Sequence, residues 1–136
     1  MRVIDLDNEY HNWKISGHIS KNNDLRPRSK YHLRARNLIK EEFPTCQILE
    51  EVPVRARKGE TLYLDFFVPL HNICIEVHGE QHYSYTSFYH GSRLGFAMAQ
   101  KRDREKIEWC EKNGITILEF PYKENDDEWR ERINNR

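Results

Sequence analysis

Two runs of strand-forming residues, Thr61–Val68 and Ile73–His78, each carry one carboxylate among apolar neighbours, and this constrains the fold more than any other feature of the chain. Asp65 lies within Leu62-Tyr63-Leu64-Asp65-Phe66-Phe67-Val68, and Glu76 within Ile73-Cys74-Ile75-Glu76-Val77-His78. A charge in such company is costly unless it has a partner or holds a cation. Pro69 closes the first run, Asn72 precedes the second and Gly79 ends it, so the two read as adjacent antiparallel strands. Ile73, Ile75 and Val77 then point to one face, and Cys74, Glu76 and His78 to the other.

The surroundings supply a mixed α/β domain. Ser29 is an N-cap, and Tyr31, Leu33, Ala35, Leu38, Ile39 and Phe43 form a helical stripe that Pro44 stops, giving a helix over about 29–43. Ile48, Val52 and Val54 recur at even spacing, which predicts a strand with these three on one face, broken at Arg57-Lys58-Gly59. Residues 80–93 have no stable period and read as an irregular loop or a short helix. A charged helix follows over about 94–113, ended by Gly114, then a strand at Ile115–Phe120 and a last helix near 126–133. The predicted order is α-β-β-β-α-β-α, an antiparallel meander with a helical crossover to the fourth strand. The Lys21-Asn22-Asn23-Asp24 stretch is the one candidate boundary, dividing an N-terminal arm or cap (1–27) from a single domain (28–136).

Composition narrows the class. Sixteen aromatic residues (three Trp, seven Tyr and six Phe) in 136 suffice for a core despite a 38% hydrophobic fraction, which argues against disorder. Nothing reads as a membrane span or secretion signal, so a cytoplasmic location is the default, in the host if the chain is phage-encoded. Cys46, Cys74 and Cys110 form no CxxC pair and read as reduced, mostly buried thiols. Lys plus Arg equals Asp plus Glu at 22 each, yet Arg26, Arg28, Lys30, Arg34, Arg36, Lys40, Arg55, Arg57 and Lys58 make residues 26–58 locally basic, a stretch suited to phosphates.

Asp65 and Glu76 on adjacent strands, with a backbone carbonyl and water, suit Mg²⁺, and such a site activates water and stabilises phosphate charge. On the following helix Asp103, Ile107 and Cys110 share a face, so Asp103 looks inward while Lys101, Arg102, Arg104, Glu105 and Lys106 are read as solvated. His78 and His82 flank the end of the second strand and fit proton transfer near neutral pH. Cys74, His78 and His82 could suggest zinc, but no fourth ligand is placed.

The element order, with Asp65 on the second strand and Ile75-Glu76-Val77 on the third, resembles the PD-(D/E)XK restriction-like nuclease superfamily over about residues 29–120. Within it, Asp65, His78-Gly79-Glu80-Gln81-His82 and Lys101-Arg102-Asp103-Arg104 leading to Asn113-Gly114-Ile115 are similar to the very-short-patch repair (Vsr) endonucleases and their phage homing-endonuclease relatives. The resemblance implies a restriction-endonuclease-like core that cuts double-stranded DNA with Mg²⁺, Mn²⁺ being the substitute. Asp65, Glu76 and the Val77 carbonyl would hold the metal, His78 and His82 would assist proton transfer, and Asp103 would orient a histidine or a metal-bound water. Arg28, Lys30, Arg34, Arg55, Arg57, Lys58 and Lys101 are the candidate DNA contacts, in a monomer or homodimer. The sequence departs from the pattern in three places. Glu76-Val77-His78 lacks the superfamily's strand lysine. His32 takes the place of the first-helix acid, so that acid is missing or is supplied by Glu41, Glu42, Glu50 or Glu51. Glu80 and Gln81 replace the aromatic wedges of the repair enzymes, whose structural zinc site is also unmatched, so a homing-type or phage nuclease is the nearer relative. A silent DNA-binding module and a nuclease for RNA or branched DNA are the alternatives.

Overall fold

The computed structural model describes residues 1–136 except Asn22, Asn23 and Leu25, and excepting also the Phe88 side chain. The boundary expected at Lys21–Asp24 includes Asn22 and Asn23 and so lies outside the described residues. In chain order the elements are strands β1 (Arg2–Ile4), β2 (Tyr10–Asn12) and β3 (His18–Ile19), helix α1 (Lys30–Glu42), strands β4 (Leu49–Arg57), β5 (Glu60–Val68) and β6 (Ile73–His78), helices α2 (Ser87–His90) and α3 (Arg93–Lys112), strand β7 (Thr116–Pro121) and helix α4 (Asp126–Asn134). Short 3₁₀ turns follow β5 and β6. β1 pairs with β2, and a five-stranded sheet runs β3-β4-β5-β6-β7, antiparallel except for the parallel β6–β7 pair. The fold is therefore mixed α/β, with one strand more in its sheet than the sequence predicts.

Local chemistry sets the element ends. The Ser29 hydroxyl accepts from the His32 backbone N–H at 3.1 Å and caps α1, satisfying one of the amides a helix start leaves open. Gly59, at φ 78°, turns the β4–β5 hairpin, a conformation costly for other residues. Asn72 adopts the left-handed region (φ 55°, ψ 45°) before β6. The β6–β7 pair is parallel because α2 and α3 carry the chain back across the sheet. Every residue of β6 is buried, as expected of a central strand covered on both faces.

Two cores sandwich the sheet. Ala35, Leu38, Ile39, Phe66, Val68, Ile73, Ile75, Val77, Phe120, Trp129 and Ile133 form the one under α1 and α4. Val3, Trp13, Leu49, Val52, Val54, Leu62, Leu64, Phe67, Cys74, Trp109 and Cys110 form the one under α3 and the N-terminal hairpin. This corrects one expectation: Ile48 belongs to the first core, whereas Val52 and Val54 belong to the second. Glu51 lies between them at φ 53°, and the alternation of side chains reverses there. Across the pair, Glu50 faces Phe66 and Val52 faces Leu64, and the same reversal occurs in β5 between Leu64 and Phe66. The residue at that reversal is Asp65.

Candidate active site

Regular pairing of β5 with β6 runs from Val68↔Ile73 to Phe66↔Ile75. Beyond it the carboxylates take over the ladder. The Asp65 N–H donates to Glu76 Oε2 at 2.7 Å, and the Val77 N–H donates to Asp65 Oδ2 at 2.9 Å. Each strand's open amide is thus met by the other strand's acid, the partner that a carboxylate in this setting requires. Glu76 Oε1 accepts from Lys106 Nζ of α3 at 2.8 Å, and the Cys74 thiol lies 3.8 Å from Glu76 Oε2. Both Glu76 oxygens are therefore engaged. Asp65 Oδ1 accepts no hydrogen bond among the described residues.

Lys106 was expected on the solvated side of its helix. Instead it is largely buried, its side chain 14% exposed against 3% for Glu76. Glu105 is also buried, paired with Arg57 at 2.5 Å. The signal for Lys106 was its spacing: three residues after Asp103 and four before Cys110, it belongs to the inward stripe.

At the end of β6, Gly79 and a 3₁₀ turn carry His82 back toward α3. Its Nδ1 lies 2.8 Å from Asp103 Oδ2. His78 stacks on His82 with centroids 4.5 Å apart and planes 10° from parallel, and its Nδ1 lies 3.5 Å from Glu119 Oε2. His78, His82 and Asp103 offer ligand atoms within 4.8 Å of one another, and Cys74 is not in that group.

Burial and charge set the protonation of these groups. Burial, with the nearby Asp65 charge, pushes Glu76 up to about 7 against the pull of Lys106. Burial opposes the Lys106 charge, but Glu76, Asp65 and Asp103 outweigh it and hold the ammonium protonated. Burial and the neighbouring His82 push His78 down. Burial also opposes charge on His82, yet the hydrogen bond and attraction of Asp103, helped by Asp65, raise it above 6.5. Burial likewise opposes the Asp103 charge and is outweighed by His82, so this carboxyl is held low. Asp65 lies near enough for its charge to act on both groups of side chains. The two imidazoles are driven apart in proton affinity, a pattern typical of acid–base sites.

The other predicted residues lie elsewhere. His32 Nε2 is 2.7 Å from Glu50 Oε1 under α1, and Glu42 is 3.5 Å from Arg130; neither is brought to Asp65. Arg28 pairs with Glu51, Arg34 with Asp126, Arg55 with Asp5, and Arg57 with Glu60 and Glu105. Lys30 lies over the Tyr31 ring and Lys101 is 4.0 Å from Glu105. Lys58 sits at the β4–β5 turn. Arg36, counted in the basic stretch, is buried and doubly bonded to Glu50 at 2.7 and 2.8 Å.

Among known proteins the chain is similar to three viral ones. It is 34% identical over 64 residues to uncharacterized protein 033L of Invertebrate iridescent virus 3, covering 47% of this chain and 33% of that protein. It is 33% identical over 61 residues to uncharacterized protein 307L of Invertebrate iridescent virus 6, covering 45% and 31%. It is 38% identical over 65 residues to uncharacterized protein 094L of Frog virus 3 (isolate Goorha), covering 47% and 42%. The matched stretch is thus less than half of each relative. No protein family in the comparison and no solved structure matches the chain. No helix among the described residues is long and apolar enough to cross a membrane.

Proposed function

We propose that this chain is a metal-dependent endonuclease that hydrolyses phosphodiester bonds in double-stranded DNA. The observation that carries the reading is the crossed bracket of Asp65 and Glu76 at the opening between β5 and β6, with the His82–Asp103 pair beside it. The order α1-β4-β5-β6-α3-β7 supports the restriction-endonuclease-like core that the sequence resembles.

The donor set fits a hard divalent cation. Asp65 keeps one carboxylate oxygen uncommitted, and Asp65 with the Val77 carbonyl would hold Mg²⁺ or Mn²⁺, Glu76 adding negative charge that Lys106 shares. Bound there, the ion would supply water activation and neutralise charge on the phosphate. The chain's own residues supply the rest. Asp103, an acceptor only, takes the Nδ1–H of His82, which leaves Nε2 of the neutral ring to remove a proton from the attacking water. His78, kept neutral by burial, stacks on that ring and steadies it. Lys106 on α3 supplies a lysine beside Glu76 that the Glu76-Val77-His78 triplet lacks, and it holds Glu76 in place.

The test is conversion of supercoiled plasmid to nicked and linear forms with Mg²⁺, with EDTA, and with Asp65→Asn. Cutting that needs Mg²⁺ and vanishes in the variant is expected. Tight, Mg²⁺-independent binding without cutting would assign a silent DNA-binding module instead, and cutting confined to RNA or branched DNA would move the substrate.

A further inference from the structure

The cations read from the sequence as DNA contacts are mostly committed within the chain, as the pairs of Arg28, Arg34, Arg55 and Arg57 with carboxylates show. To meet a phosphate, each would first have to leave its acid. Two arginines outside that set differ. Arg102 and Arg104 are exposed, and neither has a carboxylate within 4.0 Å among the described residues. They flank Asp103, the acid that holds His82.

Their positions on α3 follow from helix geometry. Successive residues are about 100° apart around the axis, so Arg102 and Arg104 project to opposite sides of Asp103. The surface agrees. Arg102 lines a cavity of about 320 Å³ with Gln81, His82, Met98 and Asp103. Arg104 lines a second, of about 250 Å³, with His78, His82, Asp103 and Glu119. His82 and Asp103 are common to both, so a strand crossing α3 would carry one phosphate over each arginine and the intervening stretch past the His82 ring.

We infer that Arg102 and Arg104 bind the phosphodiester backbone of the nucleic acid on either side of the His82–Asp103 pair, so that the strand runs across α3 rather than along residues 26–58. This rests on the nuclease reading for the identity of the ligand, but it concerns binding alone. Arginine suits the task because its planar fork meets two phosphate oxygens at once and stays charged at any working pH. Asp103 between the arginines is engaged with His82 Nδ1, so its carboxylate is turned to the ring rather than to the strand.

The experiment uses the full chain with Asp65→Asn to block cutting, and measures affinity for a fluorescent DNA duplex by anisotropy across a KCl series. Arg102→Ala and Arg104→Ala should each lower the slope of log K against log salt by about 0.9, which is about an eightfold loss of affinity at 0.1 M salt. The double variant should lose both increments, and Arg102→Lys and Arg104→Lys should recover most of the slope. Lys58→Ala, at the hairpin turn, should leave it unchanged. Thermal melting checks that the exposed substitutions leave the fold intact. Unchanged slopes in Arg102→Ala and Arg104→Ala, or an equal loss in Lys58→Ala, would overturn the inference. A parent chain that binds no DNA would overturn this inference as well. A chain that binds through these arginines and never cuts, when Asp65 is restored, keeps the inference and removes the nuclease reading.

Discussion

Single residues decide the site because a buried acid, Glu76, sits between two half-buried charges, Asp65 and Lys106. Glu76, Lys106 and Asp65 form an acid–base–acid group in which Lys106 is, among the described residues, the one cation bonded to Glu76. Removing one partner of a buried pair leaves the other uncompensated, so Lys106→Met should destabilise the fold by about 3 kcal/mol. Adding Glu76→Gln should recover most of that loss. Urea denaturation of the two singles and the double completes the cycle, and additive losses would refute the pairing. The His82–Asp103 pair makes a second prediction by its sign. Burial lowers the proton affinity of His82 and Asp103 overrides it; Asp103→Asn should therefore drop the His82 titration midpoint from its position above 6.5, as read by NMR of the imidazole signals. An unmoved midpoint would mean that Asp103 does not set the ring's charge. Cleavage, which needs the neutral ring, should rise with pH through that same midpoint in the parent chain. At this scale the acids were legible: Asp65 and Glu76 stand out because charges in apolar strands need partners. Lys106 was not, because an ammonium on a charged helix looks solvated until the strand acid facing it is known.

Elements explain where the pattern of apolar residues misleads. Period-two alternation located β4 and β6, a run of strand formers closed by Pro69 located β5, and a cap and a stripe located α1 to within a residue at each end. The alternation cannot show that Glu51 is left-handed and reverses the facing of β4, since that conformation is imposed by the strands on either side. The reversal is held by charge as well as packing. Glu50, fully buried, accepts from Ser20 at 2.6 Å and from Arg36, and contacts His32, so α1, β4 and the residue just after β3 meet on one carboxylate. Burial opposes its charge, yet His32, Arg36 and Ser20 outweigh burial and hold its pKa well below 4.5. A depressed carboxylate contributes stability above its unfolded value and loses it as pH falls toward the folded one. Glu50→Gln should therefore cost about 3 kcal/mol at neutral pH, and the gap from the parent should narrow as the pH falls below about 4.5. Urea melts at several pH values follow it, and a gap independent of pH would remove the charge from the account.

At the scale of the whole molecule, the first nineteen residues were the least legible because their strands are two or three residues long and carry no period. Their contribution is set by partners far along the chain. Trp13 lies tilted against Phe67 and edges Trp109, with centroids 5.3 and 5.2 Å away, and its Nε1–H donates to the Pro53 carbonyl at 3.1 Å. Asn113, beyond the end of α3, accepts from the Ile4 N–H at 2.8 Å and donates to the Ile4 carbonyl at 2.9 Å. These contacts join the N-terminal hairpin to the same core that underlies α3, the helix bearing Asp103 and Lys106. If the molecule unfolds as one cooperative unit, a defect at Trp13 must reach that helix. Trp13→Ala should then lower global stability by about 3 kcal/mol, and the unfolding curves followed by helical circular dichroism and by fluorescence of Trp109 and Trp129 should still coincide. An N-terminal region that melts separately, leaving the midpoint of the remainder where it was, would instead make residues 1–27 an independent arm and free the site from any dependence on it.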